Sequence, residues 1–506
     1  EREANANGLT YQAMMENAGT NLALFIHEQY GANLPRSAVA RVGSGNNGGD
    51  ALVALAKLHD MDWQTCAYIV KARPEGDLQL RRYRQKAGEL YFSKDDSNQS
   101  ILRDLISRDG VLIDGILGTG VRFPLPPEAD QAMAIVNQSL AGSEGARHVI
   151  AVDCPSGVDC DTGLVAPHVI PAEVTFTMAA IKRGLLAFPA AELVGEIQVG
   201  GIGDLTNLDA WQSVKRSVLK DLDIHQVLPA RPKSAHKGTF GTALLIAGAG
   251  NYPGAVLLAG TAAYRVGTGF VKFAIPEYIY TAVVGHLREA TWLPLPDQDG
   301  WISEDAYHVI LPALKGASAL LVGPGFGLEK PTNEFVRRLV ESNLPATVMD
   351  ADGLKHLASI PDWYMLLGER VVLTPHPGEM AILTGIPIEE IQSNRLEIAE
   401  TYAHQWGKVI VLKGAYTVIA NPEGSSVVIP VATPALARAG TGDVLAGMIV
   451  GLLAQGVAPF EAAFAGAYLH AQAGLVAKEK RGNSSSVLAG DLVDTIPEVL
   501  SRYQLD

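Results

Sequence analysis

Cysteine is scarce in this chain: Cys66, Cys154 and Cys160 are the only three in 506 residues. An odd number cannot pair completely within one chain, and no His or Cys stands near them at metal-ligand spacing. A disulfide scaffold and a zinc module are therefore excluded, and a reducing compartment, the cytoplasm, is expected. Long apolar runs are missing too. No stretch approaches the ~20 apolar residues of a membrane span, so no membrane partner is expected. Positive charge is short, with 40 Lys+Arg against 54 Asp+Glu and a formal net charge of −14. That argues against nonspecific nucleic-acid binding, but not against a phosphorylated small molecule, which backbone amides grip locally. The chain opens Glu1-Arg2-Glu3 without an initiator methionine, which leaves a trimmed start and a lost targeting segment open.

Hydrophobic residues make up 48% and charged residues 19%, the balance of a soluble globular protein. At 506 residues the chain exceeds one ordinary core, so two domains or more are expected. One stretch stands out. In Ala439-Gly440-Thr441-Gly442-Asp443-Val444-Leu445-Ala446-Gly447 two glycines flank a threonine, and an aspartate opens an uncharged, proline-free run to Ala454. This predicts a tight loop delivering the N-terminus of a buried helix, where bare N–H groups and the helix dipole attract an anion such as phosphate. Asp443 also reads as a helix-start residue. A cap alone needs no Gly-Thr-Gly before it, and a carboxylate beside an anion site suits proton chemistry.

Taken in order, Tyr11 to Tyr30 carries apolar residues at helical spacing, with Thr10 placed as a cap. Ala38 to Val42 reads as a buried strand, Gly43 to Asp50 as a glycine-rich loop and Ala51 to His59 as a helix, the layout of a nucleotide-binding βα unit. Gly43, Gly45 and Gly48 match the dinucleotide spacing literally. Yet the second strand, Thr65 to Val70, ends in Lys71-Ala72-Arg73, with no acid for a ribose; either basic residue would suit an extra phosphate. Asn46, Asn47 and Asp50 add oxygen-bearing side chains that a plain phosphate cradle does not need. Turn chemistry is one explanation, and a small oxygen-liganded cation is the sharper one. Two more strands end alike, Val111 to Asp114 and Val149 to Asp153. In a parallel sheet such ends share one edge, which lets Asn47, Asp114 and Ser156 converge on a cation while Asp153 faces a substrate. Singly, each aspartate also reads as a helix cap. Lys182, after the run from Phe176, is placed as a proton donor or phosphate contact.

Met15-Glu16-Asn17-Ala18-Gly19, Gly45 to Asp50, Asp114 to Gly120 and Asp153-Cys154-Pro155-Ser156-Gly157 together resemble the NAD(P)H-hydrate epimerase family. The resemblance implies a Rossmann-like three-layer fold that interconverts the R and S epimers of hydrated NADH and NADPH, with a bound potassium ion. It implies substrate contacts from Asn46, Asn47, Gly48, Gly49 and Asp50, and from Asp153. A second set comes from the segment Gly118, Thr119, Gly120, Val121, Arg122, Phe123 and Pro124. Potassium is implied on Asn47, Asp114 and Ser156, and Asp153 and Lys182 are the candidates for the acid/base pair. Ala51 stands where many relatives have another glycine.

Between Gly203 and Arg231 the strand–helix rhythm lapses, and a domain boundary is expected near residue 225, dividing 1–225 from 226–506. Beyond it Ala243 to Ala247, Phe270 to Ile275, Ala319 to Val322, Ala346 to Asp350, Val371 to Thr374 and Val409 to Leu412 read as buried strands of an α/β domain. Their ends are informative. The glycines from Gly323 to Gly327 allow close backbone approach. Asp350 and Asp352 offer carboxylates to hydrated magnesium, or cap the next helix. His376 and Glu379 lie in a proline-stiffened loop, and Lys413 with Gly414 to Thr417 offers a lysine and backbone groups to a nucleotide.

With Gly440 to Asp443, these sequences resemble the ribokinase-like superfamily, and within it the ADP/ATP-dependent NAD(P)H-hydrate dehydratases. Gly-Thr-Gly-Asp replaces the Gly-Met-Gly-Asp of some relatives. The resemblance implies ADP or ATP, with magnesium, held by Lys413, Gly414, Ala415, Tyr416 and Thr417 and by Gly440, Thr441 and Gly442. It implies that Ala255, Gly325 or Gly327, His376 and Asp443 face the hydrate, with Asp443 as the base. The two resemblances cover nearly the whole chain and imply an isomerase and a lyase in one polypeptide, acting on NADHX and NADPHX and expected as a homo-oligomer. Resemblance to bacterial two-domain members favours ADP. Two alternatives stand: a small-metabolite kinase, since Gly-Thr-Gly-Asp is shared with sugar and vitamin kinases, and a first domain that only binds nucleotide.

Overall fold

Strands of the first half are apolar on both faces, a pattern that requires helices on each side of a parallel sheet. β1 (Ser37–Val42), β2 (Gln64–Ile69), β3 (Glu89–Phe92), β4 (Gly110–Gly115), β5 (Arg147–Val152), β6 (Val174–Met178) and β7 (Glu196–Gly200) form that sheet. Their order is β3-β2-β1-β4-β5-β6-β7, and every neighbouring pair is parallel. One face packs Leu22 and Ile26 of the helix Tyr11–Tyr30, with Leu52 and Leu55 of Asn46–His59, on Ala40, Val42 and Ile113. The other packs Leu102 and Leu105 with Met133 and Val136 on Val39, Leu112 and Ala151. This is the expected Rossmann-like three-layer arrangement. The strand order reverses between β1 and β4, and that switch point opens a crevice at the carboxyl ends. This computed structural model describes residues 1–86, 88–108, 110–141 and 147–503.

Thr10 caps the first long helix as expected, its hydroxyl accepting from the Ala13 amide at 3.1 Å. The next helix departs from expectation. It begins at Asn46, not Ala51, so Asn46 to Asp50 are its first turn rather than a loop. Close packing explains the early start, because a side chain at Gly48 would collide with the Gly43 carbonyl.

In the second half, β8 (Arg216–Val218), β9 (Thr242–Ile246), β10 (Phe270–Pro276), β11 (Thr291–Leu295), a two-stranded ribbon of β12 (Asp297–Gln298) and β13 (Trp301–Ile302), and β14 (Ala319–Val322) come first. β15 (Ala346–Met349), β16 (Val371–Leu373), β17 (Val409–Leu412), β18 (Val418–Ala420) and β19 (Ser426–Val428) follow. The large sheet runs β11-β10-β9-β14-β15-β16-β17-β18-β19-β8. It is parallel from β11 to β17, after which β18 and β19 each turn back antiparallel. Because β8 pairs with β19, the residues just after 214 belong to this second unit. The chain divides into Glu1–Val214 and Lys215–Asp506, earlier than the boundary near 225 read from composition. No helix among the described residues is long and apolar enough to cross a membrane.

The helix Thr441–Ala454 is buried on every side from Val444 onward. It lies in one core with Ala259 and Ala262 of the helix Gly254–Arg265 and with Ala462, Ala465 and Leu469 of Pro459–Arg481. Gly447 permits the closest approach, since a side chain there would run into the backbone of Ala259. Backbone cannot give way as a side-chain tip can. Gly447→Ala is therefore expected to destabilise the second unit by about 1–3 kcal/mol, seen in calorimetry as a lowered midpoint for that unit with the helical circular-dichroism signal retained.

Candidate active sites

Asp153 closes β5 in the left-handed region, at φ +65°, a conformation that non-glycine residues keep only when neighbours fix it. Here they do. The Asp153 amide donates to the Phe176 carbonyl at 2.9 Å, and its Oδ1 accepts from the Met178 amide (2.9 Å) and the Thr177 hydroxyl (3.2 Å). Lys182 Nζ ion-pairs with the same oxygen and donates to Thr177 Oγ1 (3.0 Å) and the Met178 carbonyl (2.8 Å). The expected acid and base thus meet, although Lys182 comes from the loop after β6 rather than its last residue. Asp50 has no ion partner within reach among the described residues, and burial plus the charge of Asp153 push its carboxyl up to about 8. At neutral pH it holds its proton.

Asn47, Asp114 and Ser156 also converge. Ser156 donates to Asp114 through its amide (2.9 Å) and its hydroxyl (2.6 Å), and its Oγ accepts from the Leu117 amide at 3.0 Å. Asn47 Nδ2 donates to the carbonyls of Val152 and Leu117, and its Oδ1 lies beside Gly118. From Gly118 the chain runs through Thr119, Gly120, Val121, Arg122, Phe123 and Pro124 without regular structure and mostly exposed. Two arginines have structural roles here. Arg73 donates to the carbonyls of Gly43 (2.5 Å) and Gly45 (3.0 Å) and pairs with Asp77 at 2.9 Å, so it braces the loop before Asn46 and is not open to a phosphate. Arg41 lies in the middle of the sheet with 0% exposure, its Nη2 2.9 Å from Asp114 Oδ1. No group of three or more His, Cys, Asp or Glu able to hold a metal occurs among the described residues.

In the second unit, Gly440 at φ +89° turns the chain into the helix Thr441–Ala454. Thr441 Oγ1 donates back to the carbonyl of Leu436 or Arg438, 2.8 and 2.9 Å away. Behind it, buried His470 donates Nε2–H to the Thr441 carbonyl at 2.9 Å, and burial lowers that imidazole to about 4, so it is neutral. Asp443 sits half-buried in this helix's first turn. Burial, followed by the charge of Asp350, pushes its carboxyl up to about 7 against the pull of Lys413.

Lys413 is the hub of the neighbouring groups. Its Nζ lies 2.8 Å from Asp350 Oδ1 and 3.6 Å from Glu379 Oε2, and Thr374 donates to Asp350 Oδ1 at 2.7 Å. His376 caps the helix Pro377–Thr384 rather than lying in a loop. Its Nδ1 accepts from the Gly378 amide at 3.0 Å, while Glu379 accepts from the His376 amide at 2.8 Å. Burial lowers the His376 pKa against the pull of Glu379, whose Oε1 lies 3.4 Å from Nε2. Lys413 is thus committed to two carboxylates, and Gly414 to Thr417 form the open turn between β17 and β18, closed by a Thr417 hydroxyl bond to the Gly414 carbonyl (2.8 Å).

Gly325 lies against Ala255 and Tyr252, whereas Gly327 abuts Trp301 and is fastened by Asp352 to its amide (2.9 Å) and His356 to its carbonyl (2.9 Å). Of the two glycines, Gly325 is the one beside Ala255. Asp352 also pairs with Lys355 at 2.8 Å.

A family model described as NAD(P)H-hydrate dehydratase matches residues 243–498, and one described as YjeF-related protein N-terminus matches residues 11–184. The bifunctional NAD(P)H-hydrate repair enzyme Nnr of Moorella thermoacetica is 37% identical over 97% of this chain and 92% of its own length. The Escherichia coli K12 protein of the same name is 31% identical over 100% of this chain and 93% of its own. Among solved structures, a ribokinase-like superfamily protein from Enterococcus faecalis covers 57% of this chain and 97% of its own, with a TM-score of 0.50 at 24% identity. That likeness is one of fold.

The charges around Asp443 make a prediction that needs no ligand. Removing the Lys413 cation leaves Asp350 to act on Asp443 unopposed, and like charge disfavours ionisation. In Lys413→Met the Asp443 midpoint is expected to rise above about 7, read by carboxyl-carbon NMR titration; an unchanged or lowered midpoint would contradict the electrostatic assignment.

Proposed function

The chain belongs to the family of bifunctional NAD(P)H-hydrate repair enzymes, and from that premise we propose which of its residues carry the two reactions. It repairs hydrated NADH and NADPH: the first unit interconverts the R and S hydrates, and the second dehydrates the S form in a nucleotide-dependent reaction. In the first unit Asp153 and Lys182 form the acid/base pair, the carboxylate accepting a proton from the hydrated ring and the ammonium returning one. Asn46 to Asp50 and Gly118 to Pro124 cradle the substrate, and the protonated Asp50 gives it a hydrogen-bond donor rather than a charge. No step runs through potassium, because the Asp114 carboxylate has Arg41 as its counter-ion.

Dehydration is carried by Asp443. Hydroxide is a poor leaving group and phosphate a good one, so the hydroxyl is first phosphorylated. Asp443 takes the hydroxyl proton as its oxygen attacks the terminal phosphoryl group of ADP or ATP, forming a phosphate ester and the shortened nucleotide. The amides around Gly440, Thr441 and Gly442 stabilise the transferring group, a contribution typically of ~3 kcal/mol per donor. Elimination then breaks the carbon–oxygen bond, releases phosphate and a ring proton, and restores the dihydronicotinamide. Ala255, Gly325 and neutral His376 face the hydrate; Lys413 to Thr417 line the nucleotide side. Asp350 and Asp352 are both lysine-paired, so magnesium fits best as the nucleotide's companion, held largely by phosphate oxygens and water. Three buried cysteines, none in a disulfide, favour a reducing compartment such as the cytoplasm.

The observation that carries this reading is a half-buried carboxyl raised to about 7 at the mouth of a glycine-flanked helix N-terminus, the proton affinity that suits a general base at neutral pH. Supplying R-NADHX with ADP, and separately with ATP, should restore the NADH absorbance band with at least one of them. A phosphorylated small alcohol accumulating without NADH would identify a kinase instead. Lys182→Met should abolish R/S exchange, observed by chromatography, while leaving dehydration of the S form intact.

The pH dependence follows from the sign of the shift. Asp443 works ionised, so dehydration should fall roughly tenfold per unit as pH drops below about 7. Folding runs the other way. A carboxyl raised from 3.8 to about 7 adds stability fully below pH 3.8 and loses it as pH rises through about 7. Asp443→Asn should therefore abolish dehydration and raise the second unit's melting midpoint above neutral pH, a gain that shrinks towards acid.

A further inference from the structure

Arginine is almost never fully buried without a partner, and Arg41 is 0% exposed in the strand β1. Its neighbours across the sheet are Tyr68 on β2 and Asp114 on β4. Asp114 Oδ1, with 1% side-chain exposure, is its ion partner at 2.9 Å. The approach is not in line for a hydrogen bond, and none of the three guanidinium nitrogens has a hydrogen-bond acceptor among the described residues. The surroundings therefore hold Arg41 for its charge, not for a donor geometry. Asn47, Asp114 and Ser156 are the three residues on which the resemblance puts potassium. Their only carboxylate is already balanced. A second cation beside the first would leave one uncompensated positive charge in the sheet's interior, where no solvent screens it. The residues present do not fit potassium.

We propose that Arg41 is the resident cation of this cluster, standing in for a bound metal ion, and that the first unit is independent of potassium. The guanidinium suits the task because it is weakly hydrated and stays charged when buried. Its effect passes outward through a chain of contacts: Arg41 balances Asp114, Asp114 orients Ser156 through two hydrogen bonds, and Ser156 holds the Leu117 amide just before the Gly118–Pro124 segment. Arg41 is thus a positioning residue that acts on the substrate segment through others.

The proposal rests on reading the first unit as the epimerase, and melting of the full chain tests it separately from that reading. The wild-type protein is exchanged into choline, sodium and potassium chloride at equal ionic strength, and both the first unit's melting midpoint and R/S exchange are followed. Identical midpoints and exchange rates in all three salts are expected. A saturable rise in midpoint specific to potassium, or exchange that falls roughly tenfold or more without it, would overturn the proposal. Arg41→Met, which vacates the charge, should lose exchange and recover it in potassium, whereas Arg41→Lys should exchange without potassium. If Arg41→Met does not fold, the wild-type salt series and Arg41→Lys still decide. Loss of R/S exchange in every salt with an unchanged potassium-independent midpoint would count against the epimerase reading and leave the assignment of the cation standing.

Discussion

A carboxylate withdrawn from water must meet a cation or a set of hydrogen-bond donors, and the arrangement of both units follows from how each strand-end aspartate meets that demand. Parallel strands place their carboxyl ends on one edge, so the demand is concentrated there. Asp114 is answered by Arg41, Asp153 by Lys182, Asp350 by Lys413 and Asp352 by Lys355. The first three pairs join separate elements, while Asp352 and Lys355 pair within one helix. Asp50 and Asp443 are the exceptions: neither has an ion partner within reach among the described residues, and both are pushed up, to about 8 and about 7. The paired carboxylates hold the frame, and the unpaired ones are those whose protons exchange near neutral pH.

Those pairs also explain what could be read from the sequence. The strand ends were legible because their signals are local: an apolar run, then Asp with glycine within a few residues. Gly440 to Asp443, Asp153 and the convergence of Asn47, Asp114 and Ser156 came from such signals together with the logic of a parallel sheet. Partners far along the chain were not legible. Lys413 is legible as a cation at a strand end, but its hold by Asp350, 63 residues earlier, is not. Arg73 has the charge to suit an extra phosphate near it, but the Gly43 carbonyl, 30 residues earlier, takes its guanidinium. The early end of the first unit has the same origin, because β8 is short and polar and becomes a strand only by pairing with β19. Arg41 did leave a local mark, a lone arginine within Ala38-Val39-Ala40-Arg41-Val42; an internal charge in a strand buried on both faces is a signal for a buried partner.

At Asp443 two opposed effects can be weighed. The N-terminus of a helix favours an ionised carboxylate by roughly 0.3–1 kcal/mol, rising to ~2 in partly buried geometries. Lys413 pulls in the same direction. Against them stand burial and the charge of Asp350, and the net movement from 3.8 to about 7 corresponds to about 4 kcal/mol against ionisation. Desolvation therefore exceeds the dipole by a clear margin. A carboxylate in open water at the same helix end would be ionised and weakly basic, and one buried without Lys413 would hold its proton too tightly to act near neutral pH. The second unit keeps Asp443 between these limits by burying it in the first turn of an otherwise apolar helix and setting one shared lysine nearby. That lysine is itself divided between Asp350 and Glu379, so its pull on Asp443 is partial. Neutral His470 behind Thr441 fastens the helix end without adding a charge that would depress the carboxyl. A base matched to neutral pH is thus the balance of a burial penalty with a cation deliberately shared, and its cost is carried by the core that Gly447 lets close around the helix.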